Sequence, residues 1–208
     1  MKLILVCGPW SSGTTAVSGM LEKLGVVGVP PYFRTNDERT KNSYESTLFR
    51  DYVDKLVSDK TLTVTAKPEE ILSQVQLLKE ELIEKYLDQE NLNKEITFFL
   101  KYPLSAFLIN ELTSQFNTKL IYVLRPFSSI EKTRMRRSWT KQFGQEGAQA
   151  IYSRMFSVMI NRIHPTMIIR YDEMIKNPVV VAKRLSEFAG VSSNEEQVNN
   201  AINFIRKA

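Results

Sequence analysis

An uncharged apolar run, a glycine-framed loop and an amphipathic helix fill the first two dozen residues, and this succession constrains the fold more than any other stretch. Leu3 to Cys7 (LILVC) is short and β-rich, Gly8-Pro9-Trp10-Ser11-Ser12-Gly13 is rich in turn formers, and Thr14 to Leu24 places Val17, Met20, Leu21 and Leu24 at i, i+3, i+4 and i+7. In a strand–loop–helix unit the first backbone N–H groups of the helix point into the loop. The helix dipole adds positive potential there, so the loop suits a phosphate. Glycine at 8 and 13 permits tight turns and close approach of a ligand to the backbone. The competing reading is a hydroxyl-rich N-cap on a core helix.

The spacing narrows the chemistry. A nucleotide-triphosphatase loop reads G-x-x-x-x-G-K-[ST], and its lysine reaches the β- and γ-phosphates. Gly8, Gly13 and Thr15 fill three of those places, but Thr14 occupies the lysine position. That substitution argues against ATP or GTP hydrolysis. It leaves an anion cradle of backbone amides and four hydroxyls, Ser11, Ser12, Thr14 and Thr15.

Beyond the loop, strands and helices alternate. Ile96–Leu100, Lys119–Leu124 and Thr166–Arg170 read as strands. Helices are expected over Ser43–Ser58 (Tyr44, Leu48, Tyr52 and Leu56 on one face), from Pro68 (Ile71, Val75, Leu78 and Leu82), and over Ser105–Phe116, Gln145–Ile163 and Val179–Ala189. Ser128 with Glu131, and Ser193 with Glu196, have capping-box spacing and predict two further helix starts. Tyr32–Asn42 reads as an irregular surface loop near the mouth of the cradle, and Asp88–Glu95 as a polar end to the helical region. Mostly apolar strands alternating with helices specify an α/β fold: a three-layer α/β/α single domain, residues 1–208, around a mainly parallel sheet. Ligands of such sheets sit at the carboxyl ends of the strands. The glycine loop, Lys101 and Arg125 all fall there and should converge on one cleft.

Composition excludes several classes. No apolar run reaches membrane-spanning length, so no membrane span is expected. One cysteine rules out an internal disulfide framework and fits a reducing, cytoplasmic setting. One histidine and one cysteine predict no metal site. The net charge of +5 suits anionic ligands, but no basic arm or helix–turn–helix points to nucleic acid. The oligomeric state is not written in the sequence.

Three separated stretches resemble the sulfotransferases that use 3′-phosphoadenosine 5′-phosphosulfate, in particular their short bacterial and viral members. Ser11-Ser12-Gly13-Thr14-Thr15 is similar to the family's 5′-phosphosulfate loop. Leu120 to Pro126, a strand ending in Arg125 with Thr133 eight residues on, resembles the 3′-phosphate motif. Ile168 to Val191 resembles the family's strand, acidic turn, Asn-Pro and closing helix. The resemblance spans nearly the whole chain and implies the P-loop nucleoside triphosphate hydrolase-like fold of that family. It implies a co-substrate, 3′-phosphoadenosine 5′-phosphosulfate, held by Ser11 to Thr15, Arg125 and Thr133. The reaction implied is transfer of a sulfuryl group to a hydroxyl or amine of a small-molecule or carbohydrate acceptor, with no metal. An arginine fork is the natural partner of a dianionic 3′-phosphate.

Lys101 resembles the lysine of the family's Lys-x-His-x-Pro or Lys-x-Pro stretch and would stabilise the departing 5′-phosphate; it could equally be a strand-end lysine reaching for solvent. Glu45, in a stretch similar to a Gly-Tyr-Trp-Glu segment of the short members, would be the base; its alternative is a solvated carboxylate on a helix. Two positions depart from the pattern. Ser11 replaces the loop's basic residue, leaving Lys101, Arg134, Arg136 or Arg137 to compensate. Pro103 stands where the family's histidine often serves as base, and His164 lies elsewhere. Two other functions stay open: a P-loop nucleotide or small-molecule kinase, and a non-catalytic nucleotide-binding protein on the same fold.

Overall fold

The computed structural model describes residues 1–35, 42–88, 96–161 and 164–207. Its strands are β1 (Lys2–Cys7), β2 (Tyr32–Arg34), β3 (Asn42–Ser46), β4 (Val57–Ser58), β5 (Thr63–Val64), β6 (Thr97–Lys101), β7 (Asn117–Leu124) and β8 (Thr166–Arg170). Its α-helices are α1 (Thr14–Lys23), α2 (Thr47–Leu56), α3 (Pro68–Leu82), α4 (Ile109–Gln115), α5 (Phe127–Arg136), α6 (Gln145–Ile160), α7 (Tyr171–Lys176), α8 (Pro178–Ala189) and α9 (Glu195–Lys207).

The central sheet has the order β6-β1-β7-β8 with every pair parallel. Alternation along its strands builds two cores. Leu3, Leu5 and Cys7 of β1, with Phe98 and Leu100 of β6 and Leu120 and Tyr122 of β7, pack against α2, α3, α4 and α6. Ile4 and Val6, with Phe99, Ile121 and Val123, face α1, α8 and α9 on the other side. Both faces of β6, β1 and β7 are therefore covered, which explains why those strands are apolar through their centres rather than at every second position; on the edge strand β8 only Met167 and Ile169 are buried and Ile168 is exposed. The fold is the expected three-layer α/β/α arrangement. Among the described residues no helix is long and apolar enough to cross a membrane.

The segment expected as one helix over Ser43–Ser58 is divided. Residues up to Ser46 form β3, paired antiparallel with β2, and α2 begins only at Thr47. Tyr44 has φ +58°, which a right-handed helix cannot include. Ser46 caps the helix by accepting the Phe49 N–H. The buried face of α2 is consequently Phe49, Val53 and Leu56, and Glu45 stands on a strand rather than a helix.

Two caps also differ from expectation. No side chain caps α5, which starts at Phe127 behind Pro126. Glu131 is instead drawn to the Gln145 N–H (3.1 Å) and Arg134 Nε (2.8 Å). At α9 the reciprocal box is Asn194 with Gln197 (2.8 and 2.9 Å), one residue later than predicted, while Ser193 Oγ donates to the Leu24 carbonyl. Residues Pro103–Leu108 are 3₁₀ turns, and α4 follows them. The expected irregular loop contributes β2. Its residues 36–41, the polar residues 89–95 and the predicted helix end at Ile163 lie outside the described residues.

The buried tyrosines set an alkaline limit on this core. Burial raises Tyr102 and Tyr122 well above the usual phenol range and pushes Tyr152 up to about 12. A raised acid keeps its stabilising contribution below the unfolded-chain value, near 10, and loses it as pH climbs toward the folded value. Stability in denaturant titrations is therefore expected to hold to pH ~10 and to fall steeply above it, with Tyr102, Tyr122 and Tyr152 ionising only together with unfolding. Tyrosinate absorbance near pH ~10 in the folded protein that is lost in a Tyr102→Phe, Tyr122→Phe or Tyr152→Phe variant would contradict this.

Candidate functional site

The carboxyl ends of β6, β1 and β7 open onto a cleft of about 1340 Å³. Three segments remote in sequence meet there because adjacent parallel strands end side by side. Lys101 closes β6, the glycine loop follows β1, and Arg125 follows β7.

The loop is shaped by two left-handed residues, Ser11 (φ +64°) and Gly13 (φ +104°). Gly13 is the N-cap residue of α1, and no side chain caps the helix. The hydroxyl N-cap of the competing reading is therefore not formed, and the first N–H groups of α1 lack intrahelical acceptors. A Cβ at Gly13 would come within 2.4 Å of the Tyr171 ring, so glycine is required for space as well as conformation. Ser11, Gly13, Thr14 and Thr15 line the cleft. Ser12 does not: it is fully buried, and its Oγ lies where a Cβ on Gly8 would approach to 2.7 Å.

Arg125 is fixed from three directions. Its Nη1 donates to the Ser11 carbonyl (2.7 Å), its guanidinium lies over the Tyr171 ring at 4.2 Å, and its backbone N–H donates to Tyr152 Oη (2.8 Å). The cation missing from the loop is thus brought to Ser11 from the neighbouring strand. Among the described residues, Ser11 Oγ and Arg125 Nε are buried without hydrogen-bond partners. Buried polar groups are normally satisfied, so two orphans beside uncapped helix N–H groups fit an anion. Thr133 lines the same flank, one helical turn beyond Ser129; its Oγ1 donates back to the Ser129 carbonyl (3.0 Å).

On the other flank Lys101 is 3% exposed, far from the solvent-seeking alternative. All three of its ammonium N–H groups are engaged, by Glu45 Oε1 (2.7 Å), the Ser43 carbonyl (3.1 Å) and Thr15 Oγ1 (3.3 Å). Thr15 Oγ1 donates in turn to the Ser43 carbonyl (3.3 Å). Glu45 is also buried, which corrects the solvated-helix alternative, and its second oxygen accepts from Arg50 Nη1 (2.8 Å). The strand holding it is braced: Ser43 Oγ donates to the Phe33 carbonyl and accepts the Glu45 N–H, while Asn42 Oδ1 accepts the Tyr44 N–H. The left-handed turn at Tyr44 lets the Ser43 carbonyl and the Glu45 carboxylate reach one ammonium.

Of the arginines expected to compensate for Ser11, Arg136 and Arg137 line the cleft, whereas Arg134 is committed to Glu131 and the Trp139 carbonyl. Sequence reasoning missed Arg50, Tyr171, Ser129 and an aromatic wall in which Phe143 packs edge-on against Trp10 (4.7 Å) and Trp139 (5.9 Å). Only Ser129 carried a usable signal, its place one turn before Thr133 on a helix that starts beside Arg125. His164 and Cys7 take no part in the cleft, and burial pushes the Cys7 thiol up to about 12, leaving it protonated and inert.

A sequence model described as the sulfotransferase family matches residues 4–195 of the chain. The solved structures it is similar to include the sulfotransferase domain of the Synechococcus PCC 7002 olefin synthase (16% identity, TM-score 0.60, covering 96% of this chain and 77% of that one). A sulfotransferase of Mycobacterium tuberculosis H37Rv (15% identity, TM-score 0.58) is covered over 96% of this chain and 70% of that one. The sulfotransferase domain from the curacin biosynthetic pathway (20% identity, TM-score 0.55) is covered over 93% and 75% respectively. These likenesses show the fold. No curated protein sequence matches the chain.

Proposed function

The chain belongs to the sulfotransferase family, and on that premise we propose that it transfers a sulfuryl group from 3′-phosphoadenosine 5′-phosphosulfate to a hydroxyl or amine of a small-molecule or carbohydrate acceptor. The observation that carries this reading is the pair of orphaned buried atoms, Ser11 Oγ and Arg125 Nε, at the meeting point of the glycine loop and β7. The loop amides with Ser11, Thr14 and Thr15 would hold the 5′ end of the donor, and Arg125 with Thr133 its 3′-phosphate. Thr133 would turn its hydroxyl from Ser129 toward the anion. When bound, the donor supplies an activated sulfuryl group whose bond to the 5′-phosphate oxygen breaks as a bond to the acceptor forms.

Lys101 would neutralise charge on that phosphate by giving up its weakest contact, the 3.3 Å bond to Thr15. Glu45 holds the ammonium in position. Both of its oxygens are taken, one by Lys101 and one by Arg50, so Glu45 serves first as a positioning residue and can act as base only after one of them shifts.

A second reading, donor binding without transfer, is favoured by one observation: every N–H of Lys101 is already satisfied. Calorimetric titration with adenosine 3′,5′-bisphosphate, with ATP–Mg as comparison, tests the donor site. Micromolar binding of the bisphosphate alone is expected; binding of ATP–Mg alone would favour the kinase. Radiolabelled sulfuryl transfer to a panel of acceptors then separates the enzyme from the binding protein.

A further inference from the structure

The cleft has two flanks, set by the order of the sheet. Arg125 lies on the β7 side of the loop and Lys101 on the β6 side. The polar chain on the β6 side continues outward from Thr15 through Lys101 and Glu45 to Arg50. Arg50 therefore sits beyond the transfer point, on the side away from the 3′-phosphate site.

Arg50 is built in rather than loosely exposed. Its guanidinium lies over two aromatic rings, Phe33 at 4.0 Å and Tyr102 at 4.8 Å. The Tyr102 ring is held in turn by its hydroxyl, which donates to Asp54 (2.6 Å). One nitrogen, Nη1, is on Glu45; among the described residues the other N–H groups of the fork make no hydrogen bond. The side chain lines the cleft with 22% of its surface open. Two rings against the guanidinium limit the approaches to it and leave the nitrogens that Glu45 does not use for a two-oxygen anion. The surrounding charge agrees: among the described residues the cleft is lined by seven cationic side chains and two carboxylates, more positive charge than a donor with two doubly charged phosphate-type groups would balance.

We propose that the acceptor carries, besides the group that is sulfated, an oxyanion of the carboxylate or sulfate-ester type that docks on the open edge of Arg50. This rests on the sulfuryl-transfer reading and deepens it. Phe33 and Tyr102 hold the guanidinium in place, so recognition is by geometry as well as charge.

The test uses the full chain saturated with adenosine 3′,5′-bisphosphate and a panel of phenols in matched sets: 4-hydroxyphenylacetate, the sulfate ester of 4-(hydroxymethyl)phenol, and the uncharged 4-hydroxyphenylethanol. Dissociation constants are read by ligand-observed NMR. The charged members should bind about 10-fold or more tighter than the alcohol. Arg50→Gln should abolish that preference, and Arg50→Lys, which keeps the charge but loses the fork, should recover only a minor part of it. Bisphosphate affinity and thermal midpoint, measured on the same variants, report whether the donor site and the fold persist. Binding blind to charge in the parent protein overturns the proposal, as does a preference that survives in folded Arg50→Gln. Failure of the bisphosphate to bind the parent protein would instead remove the donor reading, and the panel repeated without nucleotide would still judge Arg50.

Discussion

Arg125→Ala is expected to lower the affinity for adenosine 3′,5′-bisphosphate by about 100-fold or more, since two hydrogen bonds to a charged group at roughly 1.5–3 kcal/mol each would be lost. The figure is large because the side chain is already oriented. Tyr171 stacks on it, Tyr152 Oη holds its backbone, and Nη1 is spent on the Ser11 carbonyl. Part of the loss passes through the loop, because the Ser11 carbonyl is left without its cation. Arg125→Lys separates the contributions: an ammonium restores charge but cannot bond Ser11 and a phosphate in one plane, so it should recover at most about 10-fold. Calorimetry on both variants measures this. Unchanged affinity in Arg125→Ala would remove the 3′-phosphate assignment.

Lys101→Ala is expected to reduce turnover by about 100- to 1000-fold, the usual cost of removing one group that stabilises developing negative charge. Bisphosphate binding should weaken much less, because the interaction matters chiefly as the leaving oxygen gains charge. A structural penalty accompanies the change. Glu45 would keep only Arg50 as a cationic partner while buried, and breaking a buried pair from one side is strongly destabilising. The double variant Lys101→Met with Glu45→Gln removes both charges together. It should recover thermal stability relative to Lys101→Ala without recovering turnover. Turnover restored along with stability would show that Lys101 acts only through the fold.

The sheet and the strand ends that frame the cleft were legible from the sequence for a common reason. A strand buried on both faces is apolar throughout, and the polar residue that ends it, Lys101 or Arg125, marks the rim. The flank that carries Glu45 and Arg50 was hidden. Residues 43–56 carry an apolar period close to that of a helix, and the break in it is one left-handed residue, Tyr44, of a type that does not advertise positive φ. The partnership of Glu45 with Lys101 joins positions 56 apart and depends on β3 turning toward the end of β6. Local spacing cannot carry such a pairing. The caps failed more mildly: Glu131 satisfies the box pattern, but a distant helix and Arg134 compete for its oxygens and win.

The three-way hold on Arg125 bears on how quickly the cleft can exchange its contents. A side chain held by Ser11 and Tyr171, on a backbone held by Tyr152, gives up little rotamer freedom on meeting an anion, so the ordering cost was met when the chain folded. Capture then needs no slow rearrangement on this flank. Affinity differences among nucleotides should therefore be written in their residence times, while their association rates remain nearly alike.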